Sequence, residues 1–380
     1  PIMACSMLSN YNLHLTNVPN LVDIETLKKL LKSFGLKIKF NKNNMILNAQ
    51  DISNRLANYD LVRKMRASIL ILGPLLSRYG KAKISLPGGC AIGTRPINLH
   101  LYGLEKLGAD FSIKDGYILG KVKNELIGNN IKMPFASVGA TENIIMAAVL
   151  AKGKTKISNA AKEPEVQDLI NCLNKMGSKI TGGGTSIIKI EGVKKLNEAK
   201  YSILPDRIVA CTYAIAAIML NNEFLIKKIN PEHIKTPIKY LSEMGANIEL
   251  GKDFLKIKKS KQIKAKKIET KPYPGFPTDL QAQMMTLMSV AKGNSQIKEN
   301  IFENRFLHVS ELNRLGANIS VKNDTAYIKG NTFFKGAPVM ASDLRASVSL
   351  VLAGLSAEGI TTINRVYHLD RGYEKIEETL

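Results

Sequence analysis

Polar and apolar positions follow the same order five times along the chain: an amphipathic helix, a glycine, and a strand of alternating residues. The glycines, spaced 73, 69, 68 and 71 residues apart, are Gly35, Gly108, Gly177, Gly245 and Gly316. Glycine is the usual residue just past a helix end, because it accepts the left-handed conformation. After Gly245, the alternation in residues 246–250 and 254–257 predicts a small hairpin.

Each repeat also contains a second, more apolar helix that is predicted to be buried. These helices are expected to start near Leu61, Thr141, Asp206, Asp279 and Asp343, and the opening PIMACSML resembles the remains of a sixth. The pattern predicts an α/β (α+β) chain of about six βαβαββ repeats, clipped at both ends, with helices inside a shell of sheets. Six repeats exceed one core, so we expect two three-repeat domains, 1–204 and 205–380.

Composition narrows the class of protein. The 380 residues are 45% hydrophobic and 23% charged, as in soluble globular proteins. The longest apolar helix, 208–220, is too short to cross a bilayer. Four cysteines without paired spacing favour a reducing cytoplasm, and no secretory leader is visible, although the chain opens in mid-pattern.

The net charge of +22 raises the possibility of nucleic-acid binding. The lysines are spread along the chain, and only residues 256–267 form a dense run, which has no aromatic residues to stack on bases. A solvated strand or loop face is therefore the preferred interpretation, with attraction of small polyanions as a by-product.

The segment LPGGCAIGTRP, residues 86–96, is the strongest chemical signal. Cys90 follows two glycines and precedes Arg95 by five residues, which favours an exposed thiol with a lowered pKa. The glycines allow the segment to move as a lid. The alternative is a glycine-rich turn that holds a buried cysteine.

Aspartates open three of the apolar helices: Asp206, Asp279 and Asp343. Helix capping alone explains any one of them. Because the helix starts are equivalent in each repeat, they also predict an anion-attracting surface. Arginines at or near these starts, suited to carboxylate and phosphate, are Arg66, Arg207 and Arg345.

Other chemical signals are weak. Cys5, Cys172 and Cys211 lie in apolar patterns and are predicted to be inert core thiols. The five histidines lack metal-ligand spacing, and residues 182–184 predict a hairpin turn.

Motifs along the whole chain resemble the UDP-N-acetylglucosamine 1-carboxyvinyltransferase (enolpyruvyl transferase) family. They are LPGGCAIGTRP, ASVGATENI, AAKEPEV, LPDRI, FPTDLQAQ, IFENRF, DLRASVSLVLAGL and HLDRGYE. The resemblance implies an inside-out α/β barrel fold of two domains with the active site between them. It implies enolpyruvyl transfer from phosphoenolpyruvate to the 3′-hydroxyl of UDP-N-acetylglucosamine in peptidoglycan synthesis, and hence a role in cell-wall biogenesis, cell shape and division.

The resemblance also implies residue roles. Cys90 is the thiol that either protonates C3 or assists product release, and the target of fosfomycin-type epoxides. Asp279 is the base, and Arg66, Arg95 and Arg371 hold phosphate and carboxylate. The remaining residues expected to bind substrate are Pro96, Ile97, Asn98, Leu99, Ser137, Val138, Gly139, Asp206, Ile301, Asp343 and Arg345. No cofactor or metal, no specific nucleic acid and no membrane are expected, and a monomer is expected.

Several departures from the family pattern affect these expectations. A Lys-Asn pair expected before Pro1 and the last strand-bearing segment are absent, so we expect this chain to bind substrate poorly or to be inactive. Asn98 replaces a common Asp, and Phe135 replaces a Lys that meets the diphosphate. The alternatives are transfer to shikimate 3-phosphate, which Cys90 disfavours, a nucleic-acid-binding protein, and a degenerate paralogue without turnover.

Overall fold

The computed structural model describes residues 1–54, 56–57, 59–86 and 97–379. By its internal contacts the chain divides between Leu204 and Pro205 into two compact units. Each unit has its own hydrophobic core, the first drawn from residues 2–199 and the second from residues 208–353.

The first unit contains the following elements. Its helices are α1 (Ile2–Cys5), α2 (Val22–Ser33), α3 (Tyr59–Val62), α4 (Leu72–Tyr79), α5 (Asn98–Lys106), α6 (Val138–Ala148) and α7 (Pro164–Lys175). Its strands are β1 (Leu13–Thr16), β2 (Lys37–Asn41), β3 (Asn44–Asn48), β4 (Leu56–Ala57), β5 (Lys81–Ser85), β6 (Ala109–Lys114), β7 (Tyr117–Val122), β8 (Asn130–Lys132), β9 (Lys154–Ser158), β10 (Lys179–Thr181), β11 (Ile187–Glu191) and β12 (Ala199–Ser202). Short 3₁₀ turns lie at Ser6–Leu8 and Arg66–Ile71.

The second unit repeats the same alternation. Its helices are α8 (Arg207–Met219), α9 (Lys235–Glu243), α10 (Gln281–Val290), α11 (Val309–Arg314), α12 (Leu344–Leu355) and α13 (Ile376–Thr379). Its strands are β13 (Phe224–Lys227), β14 (Asn247–Leu250), β15 (Phe254–Lys258), β16 (Lys267–Glu269), β17 (Asn294–Lys298), β18 (Asn318–Lys322), β19 (Thr325–Lys329), β20 (Pro338–Met340) and β21 (Thr362–Asn364). Its 3₁₀ turns are Pro231–Ile234, Thr278–Leu280 and Val366–His368.

The sheets show how each repeat is built. In the described part of the first unit they have the strand orders β12-β1-β3-β2, β4-β5-β7-β6 and β8-β9-β11-β10, and in each the first pair is parallel and the other pairs are antiparallel. The sheet β16-β17-β19-β18 of the second unit has the same pattern. Its neighbours, β13-β15-β14 and β20-β21, are smaller. The element order β8-α6-β9-α7-β10-β11 is the predicted βαβαββ repeat, which confirms the fold class.

The amphipathic helices end as the sequence predicts. Glycines follow α2, α5, α7, α9 and α11 with φ between +99° and +104°, a conformation in which a Cβ is strained. At Gly35 a Cβ would also lie 2.5 Å from the carbonyl oxygen of Asp51, so the close approach of the following loop adds to the requirement for glycine.

The apolar helices are buried, but the first of them starts elsewhere than predicted. Near Leu61 the chain forms only the short α3, and the buried helix α4 begins at Leu72 after a 3₁₀ turn. The helix expected to start near Thr141 begins at Val138, because the Ser137 hydroxyl accepts a hydrogen bond from the Ala140 N–H and caps it. Asp206 and Asp343 directly precede α8 and α12, as predicted.

The structure also shows where the buried cysteines, residues 182–184 and the lysine run lie. The cysteines predicted to be inert, Cys5, Cys172 and Cys211, are free thiols with no exposed surface. Residues 182–184 form the turn between β10 and β11. The lysine run lies on β15, the following loop and β16, where Lys258 pairs with Glu249 at 2.8 Å and Lys266 with Glu243 at 2.8 Å. Every helix in the described part of the chain is too short or too polar to span a lipid bilayer.

Candidate active site

A half-exposed carboxylate is the centre of the candidate site in the second unit. Asp279 lies in the 3₁₀ turn that precedes α10, and its side chain is 45% exposed. Arg305, whose side chain is only 4% exposed, donates a hydrogen bond of 2.8 Å to Asp279 Oδ1. The capping interpretation does not hold for Asp279: α10 starts two residues later with Leu280 as its N-cap, and the carboxylate pairs with arginine.

A second arginine approaches the same carboxylate. Arg345 on α12 has a side chain that is 12% exposed, and its Nη2 lies 3.6 Å from Asp279 Oδ2. Burial by itself lowers the pKa of Arg345, but attraction to Asp279, Tyr373 and Asp206 outweighs it and raises the pKa. Two largely buried arginines thus contact one carboxylate whose side chain is 45% exposed.

Buried polar side chains hold Asp279 and Arg345 in this position. The Tyr373 hydroxyl lies 3.0 Å from Thr212 Oγ1, and Arg345 Nη1 donates to it at 3.3 Å. Gln283 Nε2 on α10 donates to the carbonyl oxygen of Asp279 at 3.0 Å. Because α8, α10 and α12 each contribute a partner, the backbone of Asp279 and the head of Arg345 are held by the core.

Two other predicted site aspartates act as helix caps. Asp206 Oδ1 accepts hydrogen bonds from the Ile208 and Val209 N–H groups at 2.8 and 3.0 Å. Asp343 Oδ1 accepts from the N–H groups of Arg345 and Ala346 at 2.9 and 3.1 Å. The capping interpretation holds for both, and their charges also act on neighbouring site groups, as the pKa of Arg345 shows for Asp206.

Arg371 lies close to the same cluster, because its charge and that of Asp343 both act on His368. Burial lowers the pKa of His368, and the charge of Arg371 lowers it further, while Asp343 opposes both. Arg371 and Asp343 therefore lie within electrostatic reach of one imidazole. The cluster therefore combines the carboxylates of Asp206, Asp279 and Asp343 with the guanidiniums of Arg305, Arg345 and Arg371.

His308 is buried near Arg305 and Asp343, and its protonation makes the stability of the unit depend on pH. It is 1% exposed, and burial lowers its pKa to about 4, against the opposing charge of Asp343 and with the support of Arg305. The unfolded chain binds this proton near pH 6.5. Between pH 6.5 and 4 the unfolded state binds more protons than the folded state, so acidification destabilises the fold.

When the pH falls from 7.5 to 5, we expect the free energy of unfolding of His308→Gln to decrease by about 2 kcal/mol less than that of the wild type. Urea unfolding followed by circular dichroism at both pH values measures it. His100, whose pKa burial lowers to about 4, and Glu142, whose pKa burial raises to about 7, contribute equally in both proteins. His14→Gln, at a partly exposed histidine on β1, is the control. An unchanged pH dependence in His308→Gln would contradict the assignment.

In the first unit, the predicted residue Arg66 lies next to a buried histidine. His100 on α5 is 7% exposed, and burial followed by the charge of Arg66 lowers its pKa to about 4. Asn143 Nδ2 on α6 donates to His100 Nδ1 at 3.1 Å, which assigns the ring proton to Nε2. Asn143 also accepts from the Gly73 N–H at 2.6 Å, so one amide joins α4, α5 and α6.

Six of the predicted binding residues of the first unit lie at two neighbouring helix starts. Ile97, Asn98 and Leu99 begin α5, whereas Ser137, Val138 and Gly139 begin α6. A Cβ on Gly103 would overlap Ile144, so glycine there allows α5 and α6 to pack closely. A Cβ on Gly139 would lie 3.2 Å from His100 Cε1, which places the start of α6 against this imidazole. Phe135 is 59% exposed just before α6.

Ile301 completes the described part of the predicted set. Its N–H donates to the buried carboxylate of Glu299 at 2.9 Å. Cys90, Arg95 and Pro96 lie outside the described residues.

Several polar residues of these clusters were not predicted. Sequence reasoning missed the roles of Arg305, Tyr373, Glu299, Gln283, Asn143, His100 and His308. Arg305 and Tyr373 stand inside the motifs IFENRF and HLDRGYE, which was the available signal. No group of three or more metal-ligating side chains occurs among the described residues.

Comparison with known proteins identifies the family of this chain. Residues 1–380 match the family model for EPSP synthase (3-phosphoshikimate 1-carboxyvinyltransferase). The UDP-N-acetylglucosamine 1-carboxyvinyltransferase of Pelagibacter ubique is 54% identical over 380 residues, covering 100% of this chain and 91% of that protein. The enzyme of the same name from Granulibacter bethesdensis is 51% identical over 382 residues, with the same coverage.

Solved structures agree on the fold. The enolpyruvyl transferase NikO from Streptomyces tendae is 21% identical, with a TM-score of 0.90 over 100% of this chain and 90% of that chain. An EPSP synthase from Acinetobacter baumannii is 17% identical, with a TM-score of 0.75 over 99% of this chain and 92% of that chain. Because identity to the two relatives exceeds 50% along the whole chain and the family model matches every residue, this chain belongs to the enolpyruvyl transferase family, among the UDP-N-acetylglucosamine 1-carboxyvinyltransferases.

Proposed function

We propose that this protein transfers the enolpyruvyl group of phosphoenolpyruvate to the 3′-hydroxyl of UDP-N-acetylglucosamine and releases phosphate. The observation that carries the proposal is the Asp279 carboxylate, accessible yet held by Arg305 and Arg345, in a chain more than 50% identical to enzymes named for this reaction. The reaction is the first committed step of peptidoglycan synthesis, and so serves cell-wall growth, cell shape and division.

The chemistry divides into addition and elimination. In the addition, the sugar oxygen attacks C2 of phosphoenolpyruvate, its proton passes to Asp279, and C3 accepts a proton from an acid. In the elimination, C3 loses a proton, the bond from C2 to the phosphate oxygen breaks, and phosphate leaves with the bonding electrons. The addition requires a base beside the sugar hydroxyl and an acid beside C3, and the elimination requires a base that takes the C3 proton. Both steps require cations beside the phosphate and carboxylate.

The residue roles follow from this division. Asp279 is the base, and Cys90 is the acid or the group that assists product release. Arg66, Arg95 and Arg371 bind the phosphate and carboxylate of the three-carbon substrate. The starts of α5 and α6, including Asn98 and Ser137, bind the nucleotide sugar together with Pro96, Ile97, Leu99, Val138, Gly139 and Ile301. Asp206, Asp343 and Arg345 maintain the charge balance around the substrate.

The proposal also covers the cellular location, oligomeric state and partners of the protein. We assign it to the cytoplasm as a monomer that acts on small molecules, without a specific nucleic-acid partner or membrane attachment. We also propose that its two compact units are the two three-repeat domains, 1–204 and 205–380. The charge of +22 then serves to attract two anionic substrates.

Phosphate release tests the proposal. The purified protein, with the family's Lys-Asn pair and last strand-bearing segment added at its ends, is incubated with phosphoenolpyruvate and either UDP-N-acetylglucosamine or shikimate 3-phosphate. Release with the nucleotide sugar alone supports the assignment. Release with shikimate 3-phosphate alone would replace it with the activity for which the family model is named. No release with either acceptor would favour a paralogue that binds without turnover.

A further inference from the structure

A buried carboxylate joins the turn that carries Asp279 to the loop that carries Ile301. Glu299 directly follows β17 and is 4% exposed. Its backbone N–H donates to the carbonyl oxygen of Asp324 at 2.8 Å, so the end of the strand is fixed by the neighbouring hairpin. Among the residues proposed to bind substrate, Ile301 contacts this carboxylate through its N–H.

Four donors converge on the Glu299 carboxylate. Oε1 accepts hydrogen bonds from Thr270 Oγ1 at 2.9 Å and from the N–H groups of Ile301 and Phe302 at 2.9 and 3.3 Å. Oε2 accepts from Thr278 Oγ1 at 2.9 Å. A carboxylate is the side chain that accepts at both ends without donating, so its two oxygens suit four donors. The amide of glutamine would present two N–H donors to one side of this set.

The two carboxylate oxygens of Glu299 bond to different parts of the site. Thr278 is the residue before Asp279, so the bond to Oε2 fixes the start of the 3₁₀ turn on which the base lies. The bonds to Oε1 fix the loop at 301–302, where Ile301 is proposed to meet the nucleotide sugar. Thr270 anchors the carboxylate from the other side and also accepts from the Asn300 N–H at 2.9 Å.

We infer that Glu299 is a positioning residue for enolpyruvyl transfer, which sets the base Asp279 through the Thr278 hydroxyl and the sugar-binding loop through the Ile301 and Phe302 N–H groups. The inference rests on the proposed function. A displacement of about 1 Å in a reacting group can lower a rate about 100-fold, so loss of one link has a measurable effect on turnover.

The two links predict two different kinetic signatures. Thr278→Val removes the hydroxyl that holds the Asp279 turn and leaves the loop bonds in place. It should lower kcat by about 10- to 100-fold, with the KM for UDP-N-acetylglucosamine within about threefold of wild type. Glu299→Gln disturbs both links, so it should lower kcat and also raise the KM for the nucleotide sugar. Thr278→Ser, which retains the hydroxyl, should restore kcat.

A matched control separates positioning from general loss of stability. Thr286→Val removes another threonine hydroxyl on α10, where it bonds the Ala282 carbonyl at 3.1 Å, away from Glu299. It should lower the melting temperature and leave kcat and both KM values near wild type. Should Glu299→Gln fail to fold, the Thr278 pair decides the question, because the Thr278 side chain is only partly buried.

The outcomes are distinct. Wild-type kcat in Thr278→Val, or an equal loss of kcat in Thr286→Val, overturns the inference while the proposed function stands. Absence of phosphate release with UDP-N-acetylglucosamine, even when the two end segments are added to the protein, overturns both. A loss of kcat in Thr278→Val that Thr278→Ser restores, with the KM effect confined to Glu299→Gln, supports the inference.

Discussion

Asp279→Asn is expected to lower kcat for phosphate release by about 1000-fold, because a positioned base contributes about 10²- to 10⁴-fold to the rate. The amide retains the size of the carboxylate but cannot accept the proton of the sugar hydroxyl. It also leaves the buried Arg305 without its anionic partner, so the thermal stability of the variant must be measured beside its kinetics. Initial rates at saturating concentrations of both substrates give kcat.

Asp324→Asn is the matched control for this prediction. Asp324 lies in the same unit, its side chain is 51% exposed against 45% for Asp279, and it pairs with Lys298 at 3.6 Å. It should retain wild-type turnover, since its carboxylate bonds Lys298 and Thr325 while the contact with Glu299 is made by its backbone carbonyl. A kcat for Asp279→Asn within about threefold of wild type would remove Asp279 from the role of base.

Cys90→Ser is expected to abolish covalent labelling by a fosfomycin-type epoxide. Intact mass should show one adduct on the wild-type chain and none on the variant. The other cysteines provide an internal control: Cys5, Cys172 and Cys211 are fully buried. The hydrogen bond to Cys5 and burial raise the pKa of Cys172, and burial raises the pKa of Cys211 to about 12, so neither supplies a thiolate nucleophile.

The kinetics of Cys90→Ser distinguish the two roles that the sequence leaves open. If the thiol protonates C3, the first turnover itself should slow by about 100-fold or more. If the thiol assists product release, a rapid burst of phosphate should precede a slow steady state. An adduct that persists on the variant, together with unchanged turnover, would show that Cys90 has neither role.

The sequence by itself determined the family of this chain and several local features of its structure. The glycines that end the amphipathic helices, from Gly35 to Gly316, are required by a backbone conformation that depends on one residue. The caps Asp206 and Asp343 bond N–H groups two and three residues ahead. Such features involve contacts within one or two turns, so a pattern along the chain is enough to predict them.

The tertiary structure decided which polar groups meet. Asp279 resembles Asp206 and Asp343 in sequence, yet it does not cap a helix: α10 starts at Gln281, and Asp279 pairs with Arg305, 26 residues away, and with Arg345 on another helix. Likewise, nothing near Glu299 in sequence indicates that Thr270 and Thr278 will donate to it. These contacts depend on how strands and helices distant in sequence pack against each other, and that packing follows from burying every apolar face in the unit at once rather than from any local pattern.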